Sequence, residues 1–153
     1  MGSEMCIRDR YKYKVMTDLS GMLPHLFKEV IPQFYRRVRP GDIIVAGKNF
    51  GMGSSREHAV RLIKIAGISV IIAKSFARIF FRNAVNLGLP VITLNILPEI
   101  SEDGDVIDVD LTNGIAVNIT KDVSESFTYP KELIKILSEG GIINYIKKYG
   151  DLP

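Results

Sequence analysis

Two hydroxyls and a guanidinium follow a glycine-rich turn in Gly51-Met52-Gly53-Ser54-Ser55-Arg56-Glu57-His58-Ala59, a combination suited to holding an anion. Ser54 and Glu57 stand at capping-box spacing, so a helix is predicted to start at Ser54 or Ser55. A helix start carries about half a positive charge and free N–H groups, which favour a carboxylate or phosphate. Gly51 and Gly53 allow backbone to approach such a ligand closely. Arg56 opposes the dipole of that first turn, at a cost of roughly a few tenths of a kcal/mol unless it faces something anionic. The simpler reading is a serine cap followed by a solvated arginine. Two serines, the misplaced arginine and the flanking Gly47, Gly51 and Gly53 favour a site.

Nucleotide templates fit poorly. A phosphate-binding P-loop ends in Gly-Lys-Ser/Thr, whereas Lys48 precedes the glycines here and Arg56 follows the serines. Gly51-Met52-Gly53 begins like a dinucleotide fingerprint, but Arg56 occupies the third glycine position.

The elements that must hold the motif follow from periodicity. Asp42–Ala46 and Ser69–Ala73 are short apolar runs that suit buried strands, and Pro90–Leu94 supplies a third. Between them, Ala59, Leu62, Ile63 and Ala66 share one face of a helix over 55–66. Ser75 can cap a second helix, in which Phe76, Ile79, Phe80, Ala84 and Leu87 share a face and Gly88 ends the run. The order is β-α-β-α-β, with parallel pairing as the default. Beyond Pro98 the pattern alternates over Asp105–Leu111 and Ile115–Thr120, and Asn113-Gly114 predicts a type I′ hairpin. Helices are predicted over Lys131–Glu139 and Ile142–Tyr149. Lys74, Arg78 and Arg82 recur at four-residue spacing, which reads as a basic helix face that is either solvated or turned to a partner.

Gly53-Ser54-Ser55-Arg56-Glu57-His58-Ala59, Lys74-Ser75-Phe76-Ala77-Arg78-Ile79 and then Asn83, Gly88, Leu89 and Pro90 resemble the swivel domain of the aconitase superfamily. The nearest resemblance is to the free-standing small subunits of 3-isopropylmalate dehydratase and related hydro-lyases. It is specific over about 39–92 and looser beyond Asp105. It implies an α/β fold of the swivelling β/β/α type, with a β-α-β-α-β core, a β-hairpin and C-terminal helices. It implies Ser54 as the base that takes a proton from carbon, with Ser55, Arg56 and Gly53 binding a hydroxy-dicarboxylate. Lys74, Ser75 and Arg78 would support that site or meet a partner. Interconversion of 2- and 3-isopropylmalate in leucine biosynthesis is the expected reaction; a methylmalate, a dimethylmalate and homoaconitate are alternative substrates. A function of another class would be a stand-alone anion-binding or regulatory module of the same fold.

Composition sets the remaining bounds. The 153 residues make one domain, enough to bury about 68–70% of its unfolded surface. With 46% hydrophobic and 24% charged residues and no apolar run near the roughly 20 residues that span a bilayer, a soluble cytoplasmic protein without membrane contact is expected. The net charge of +3 is mild, and no nucleic-acid motif accompanies the cluster Lys28, Arg36, Arg37 and Arg39. A rim that steers anions or meets an acidic partner fits it better. A single cysteine, Cys6, cannot supply the three or four thiolates of an iron-sulfur cluster, so the [4Fe-4S] group that the resemblance implies is expected on a cysteine-rich large subunit. His25 and His58 make no zinc pattern, and His58 reads as structural; no metal site is expected on this chain. Residues 1–10 show neither periodicity nor signal-peptide layout and read as a non-native segment. The domain is then 11–153, without the Asp-Thr-Asp-containing strand with which the family usually begins.

Overall fold

Strands with branched apolar side chains on both faces need cover on both sides, and that need organises the chain. The computed structural model describes residues 38–52 and 57–153, with the side chains of Glu57 and His58 excepted. The segment 1–10, the stretch 11–30, Cys6, His25 and the basic residues Lys28, Arg36 and Arg37 lie outside the described residues.

Strand β1 (Ile43–Ala46), helix α1 (Glu57–Ile65), strand β2 (Val70–Ala73), helix α2 (Arg78–Asn86) and strand β3 (Val91–Thr93) follow in the predicted order. β2 is central. It pairs in parallel with β1 from Ile43↔Val70 to Ala46↔Ala73, and with β3 from Ile71↔Val91 to Ala73↔Thr93. Alternation then sorts the side chains. Ile44, Ala46, Ile71, Ala73 and Val91 form one core with Ala59, Val60 and Ile63 of α1 and Phe80 and Ala84 of α2. Val45, Ile72 and Ile92 belong to a second core with Leu94, Leu97 and Ala116.

An antiparallel sheet closes that second core. Its strands are β4 (Ile107–Asp110), β5 (Ile115–Asn118) and β6 (Val123–Ser126), in sequence order. Short helix α3 (Leu97–Ile100) connects the two sheets, and helices α4 (Lys131–Ser138) and α5 (Ile142–Tyr149) return to the first core, where Leu133, Leu137 and Ile142 pack. The layers are therefore helices, parallel sheet, antiparallel sheet: the β/β/α arrangement expected from the resemblance.

Contacts between the helices are close. Lys64 of α1 donates to the Leu87 carbonyl at the end of α2 (2.5 Å), a cation at the negative pole of that helix. A Cβ on Gly88, at φ 82°, would lie 2.4 Å from the Gly140 carbonyl oxygen, so backbone meets backbone where α2 abuts the α4–α5 turn.

Four details differ from the sequence reading. Ile79 is 52% exposed and Phe76 precedes α2, whose buried residues are Phe80, Ala84 and Val85. Asn113-Gly114 forms no type I′ turn, because only Gly114 has positive φ (68°). Instead the Asp110 carboxylate accepts from the Asn113 amide (3.0 Å) and Nδ2 (2.7 Å), hydrogen bonds that hold its carboxyl below the ordinary range. The hairpin is half of a three-stranded meander, since Val123-Ser-Glu-Ser pairs from Ile115↔Ser126 to Asn118↔Val123 despite its polar composition. Finally, β5 turns its less apolar residues inward. Ala116 and Asn118 are fully buried, while Ile115 and Ile119 are exposed.

Burial of Asn118 is compensated at every polar atom. Its Nδ2 donates to Ser101 Oγ (3.0 Å) and Asp105 Oδ2 (2.9 Å), and its Oδ1 accepts from the Lys121 amide (3.0 Å). The Asn118 hydrogen bond leads the causes that depress the Asp105 carboxyl, followed by the Glu102 amide. Because the folded pKa is lowered, the stabilisation is present above the ordinary carboxylate value of about 4 and fades as pH falls through the depressed one. Asn118→Ala is expected to lower stability by about 1–3 kcal/mol in urea unfolding, since it strands buried partners. Asp105→Asn should flatten the acid limb of the stability–pH curve; an unchanged limb would assign acid sensitivity elsewhere.

Candidate functional site at the carboxyl edge of the parallel sheet

Loops that leave the carboxyl ends of parallel strands converge on one edge, and open α/β sheets bind ligands there. Three loops do so here: the one after β1, described through Met52; 74–77 after β2; and 94–96 after β3. Gly53, Ser54, Ser55 and Arg56, and with them the Ser54–Glu57 capping box, lie outside the described residues. Their flanks are described. Met52 lies on one side and the first turn of α1 on the other.

The first loop is bound to the second by backbone. Lys74 N donates to the Gly47 carbonyl (3.1 Å), Phe50 N to the Ser75 carbonyl (3.0 Å) and Ala77 N to the Phe50 carbonyl (2.9 Å). Phe50 and Phe76 form a parallel bridge, which continues the β1–β2 pairing beyond both strands. Between, the chain bulges at Asn49, whose φ is 56°, a left-handed value that asparagine tolerates better than most residues. The Asn49 amide donates to Ser75 Oγ at 2.7 Å. Ser75 therefore does not cap α2: the N-cap is Ala77, with no side-chain cap. Its hydroxyl is committed to the neighbouring loop because residues 74–77 are still paired with it.

Aromatic packing fixes the loop from below. Phe50 is fully buried and sets its ring edge against Phe80 (centroids 5.3 Å, interplanar 81°) and Phe76 (6.1 Å, 79°). Phe80 belongs to the helix-side core, and Phe76 and Phe81, partly buried, pack against it. Gly51 turns under this cluster at φ 87°, and a Cβ there would stand 2.3 Å from Phe80 Cγ.

Lys74, Arg78 and Arg82 do not share a helix face, contrary to the spacing argument. Lys74 lies in the β2–α2 loop and pairs with Glu99 of α3, whereas Arg78 opens α2 and is exposed together with Arg82. The Glu99 carboxyl sits below the ordinary carboxylate range, chiefly through the Lys74 hydrogen bond and charge, with Lys48 adding a little. This pair joins the second loop to the third. The third loop is held from the other sheet: the Glu125 carboxylate of β6 accepts from the amides of Asn95 (2.7 Å), Ile96 (2.9 Å) and Leu97 (3.0 Å).

Asn49, Glu99 and Glu125 are thus supports of the edge that the sequence reading did not single out. Asn49 carried a signal, an asparagine before Phe-Gly in a glycine-rich turn. Glu125 carried none, because its partners lie 28–30 residues away. Among the described residues no group of three His, Cys, Asp or Glu side chains is placed to hold a metal ion, and no helix is long and apolar enough to cross a membrane.

Comparison with known proteins agrees with this frame. The aconitase C-terminal domain family matches residues 10–98. A protein of Thermotoga maritima named 3-isopropylmalate dehydratase small subunit 1 is 52% identical over 142 residues, 92% of this chain and 85% of that protein. The 3-isopropylmalate dehydratase small subunit 2 of Archaeoglobus fulgidus is 48% identical over 141 residues, 92% of this chain and 84% of the relative. A crystal structure of 3-isopropylmalate dehydratase from Methanocaldococcus jannaschii superposes with a TM-score of 0.87 at 40% identity, covering 98% of this chain and 90% of that one.

Gly51 offers a test of the frame. Gly51→Ala meets both an unfavourable φ and the Phe80 ring, so the expected destabilisation is at least about 2 kcal/mol by denaturant unfolding. A loss below about 0.5 kcal/mol, the range of an ordinary surface change, would show that the loop is not seated on the aromatic cluster.

Proposed function

Because the chain belongs to the aconitase C-terminal domain family, we propose that it is the small subunit of a heteromeric hydro-lyase that interconverts 2- and 3-isopropylmalate by removing and restoring water. The observation that carries this is near-full-length identity of 52% and 48% to two proteins that both bear the small-subunit name. Leucine biosynthesis in the cytoplasm is the setting that the reaction implies.

On this reading Ser54 takes the proton from the substrate carbon next to the one that bears the hydroxyl. A serine hydroxyl resembles water, which ionises only far above neutrality, so at about 1.36 kcal/mol per pKa unit its ionisation near neutral pH costs on the order of 10 kcal/mol. A helix start supplies at most about 2 kcal/mol of this. The remainder needs a closed, dry site in which backbone N–H groups and Arg56 act on the developing oxyanion together. Arg56 also holds a substrate carboxylate through its planar fork, with Ser55 and the Gly53 backbone beside it. A partner's iron-sulfur cluster supplies the Lewis-acid chemistry for the departing hydroxyl; this chain, with one cysteine, has no set of thiolates for it. Lone subunits should accordingly be inert.

Co-expression with a cysteine-rich large subunit tests the assignment. Turnover of 3-isopropylmalate only in the pair is expected, and turnover by the lone chain or none in the pair would reject it. Within the pair, Ser54→Ala should lower kcat by about 10²–10⁴-fold with assembly intact, the range for a lost general base. Arg56→Lys should lower kcat/KM by roughly tenfold or more, because an ammonium cannot make the paired charged hydrogen bonds.

A further inference from the structure

The proposed chemistry makes no use of Ser75, yet the loop that leads to Ser54 rests on it. The Ser75 hydroxyl accepts the Asn49 amide at 2.7 Å and donates towards Asn49 Oδ1 at 3.5 Å, while the Ser75 carbonyl accepts the next amide, that of Phe50, at 3.0 Å. One residue of the β2–α2 loop thus grips two consecutive amides of the β1–α1 loop. These two grips differ in kind. The carbonyl bond belongs to the backbone pairing that also joins Ala77 to Phe50, and any residue at 75 would keep it. The hydroxyl bond exists only because the residue is serine. It acts on Asn49, where φ is 56°, a conformation that an L-residue retains when its surroundings over-determine it.

Downstream of Asn49 the chain has little freedom until it has passed the core. Phe50 is fully buried and Gly51, at φ 87°, is pressed under the Phe80 ring. Asn49 is thus a left-handed turn on the path towards Ser54, five residues on. Met52, the last residue described before the run, is 72% exposed, so packing no longer guides the chain there.

We propose that Ser75 is a positioning residue for Ser54: its hydroxyl locks the left-handed turn at Asn49 and so sets how the chain enters the Gly53–Arg56 run. The inference rests on the reading of Ser54 as the base. Loss of the hydroxyl removes its two hydrogen bonds to Asn49 from a partly exposed loop and leaves the backbone bridge intact, so the fold survives while alignment relaxes. An error of about 1 Å at a reacting group is worth about 10²-fold in rate.

The test uses the heteromer reconstituted with its large subunit, 3-isopropylmalate as probe, and the variants Ser75→Ala, Ser75→Thr, Ser54→Ala and the double alanine variant. Ser75→Ala should lower kcat about 10- to 100-fold with KM within about threefold and with thermal unfolding and assembly as in the wild type. Ser75→Thr, which keeps an oxygen at the same place, should recover most of the lost rate. In the double variant the second substitution should add nothing to the loss from Ser54→Ala, because a device that aims a missing group has nothing to aim. Amide exchange at Asn49 should accelerate in Ser75→Ala and not in Ser75→Thr, while that at Phe50 should stay slow in both. An unchanged kcat in Ser75→Ala, a threonine variant as slow as the alanine one, or multiplicative losses in the double variant would overturn this proposal alone. Full turnover in Ser54→Ala would overturn the assignment of the base, and this proposal with it.

Discussion

The register of β1 against β2 runs on past Ala46 and Ala73, through Lys74–Gly47 and Phe50–Ser75 to the bridge between Phe50 and Phe76. Parallel pairing normally ends with its strands and leaves the following loops to find their own places. Here the pairing itself carries two loops out to the edge and brings them side by side. Everything at that edge inherits this constraint: the bulge at Asn49 is what a continued register requires when one chain has residues to spare, and Gly51 is what the resulting path requires under Phe80.

Magnitudes rank the supports. Burying a ring such as Phe50 or Phe80 contributes about 1.5–3 kcal/mol each, plus about 0.5–1.5 kcal/mol for a well-set aromatic pair. The Lys74–Glu99 pair is partly exposed and screened, so its part is orientation of one loop against another. Glu125 is different in kind, since it satisfies three backbone amides that otherwise face a helix start without a side-chain cap. The edge is thus packed by aromatics, aligned by backbone pairing and trimmed by charge.

Much of this was legible from local pattern. The three buried strands, the two crossover helices and the two terminal helices announced themselves by composition and by 3.6-residue spacing, within one to two residues of their observed ends. Local pattern misled where a tertiary partner outbid it. Ser75 has the type and place of a helix cap but serves Asn49, 26 residues earlier. Lys74 has the spacing of a helix face but precedes the helix to reach Glu99. In β5 the apolar alternation of Ile115, Val117 and Ile119 pointed the wrong way, because a fully bonded Asn118 can be buried and its partners lie in segments no window includes. The Gly-Ser-Ser-Arg run itself was read from sequence, and the described structure speaks for its flanks.

Glu125 has a further implication for how the chain is made. Its carboxylate holds residues 95–97, but it belongs to β6, which pairs with β5 and lies later in the chain than the whole parallel sheet. During synthesis the parallel sheet and its three loops emerge first, joined by crossovers whose closure is slow. Until residue 125 is in place the third loop lacks its anchor, and Leu97, later fully buried, has no second sheet to pack against. The early segment is therefore a stretch of half-covered apolar strands for as long as translation of the meander takes, a window in which a nascent-chain chaperone would find hydrophobic surface to hold.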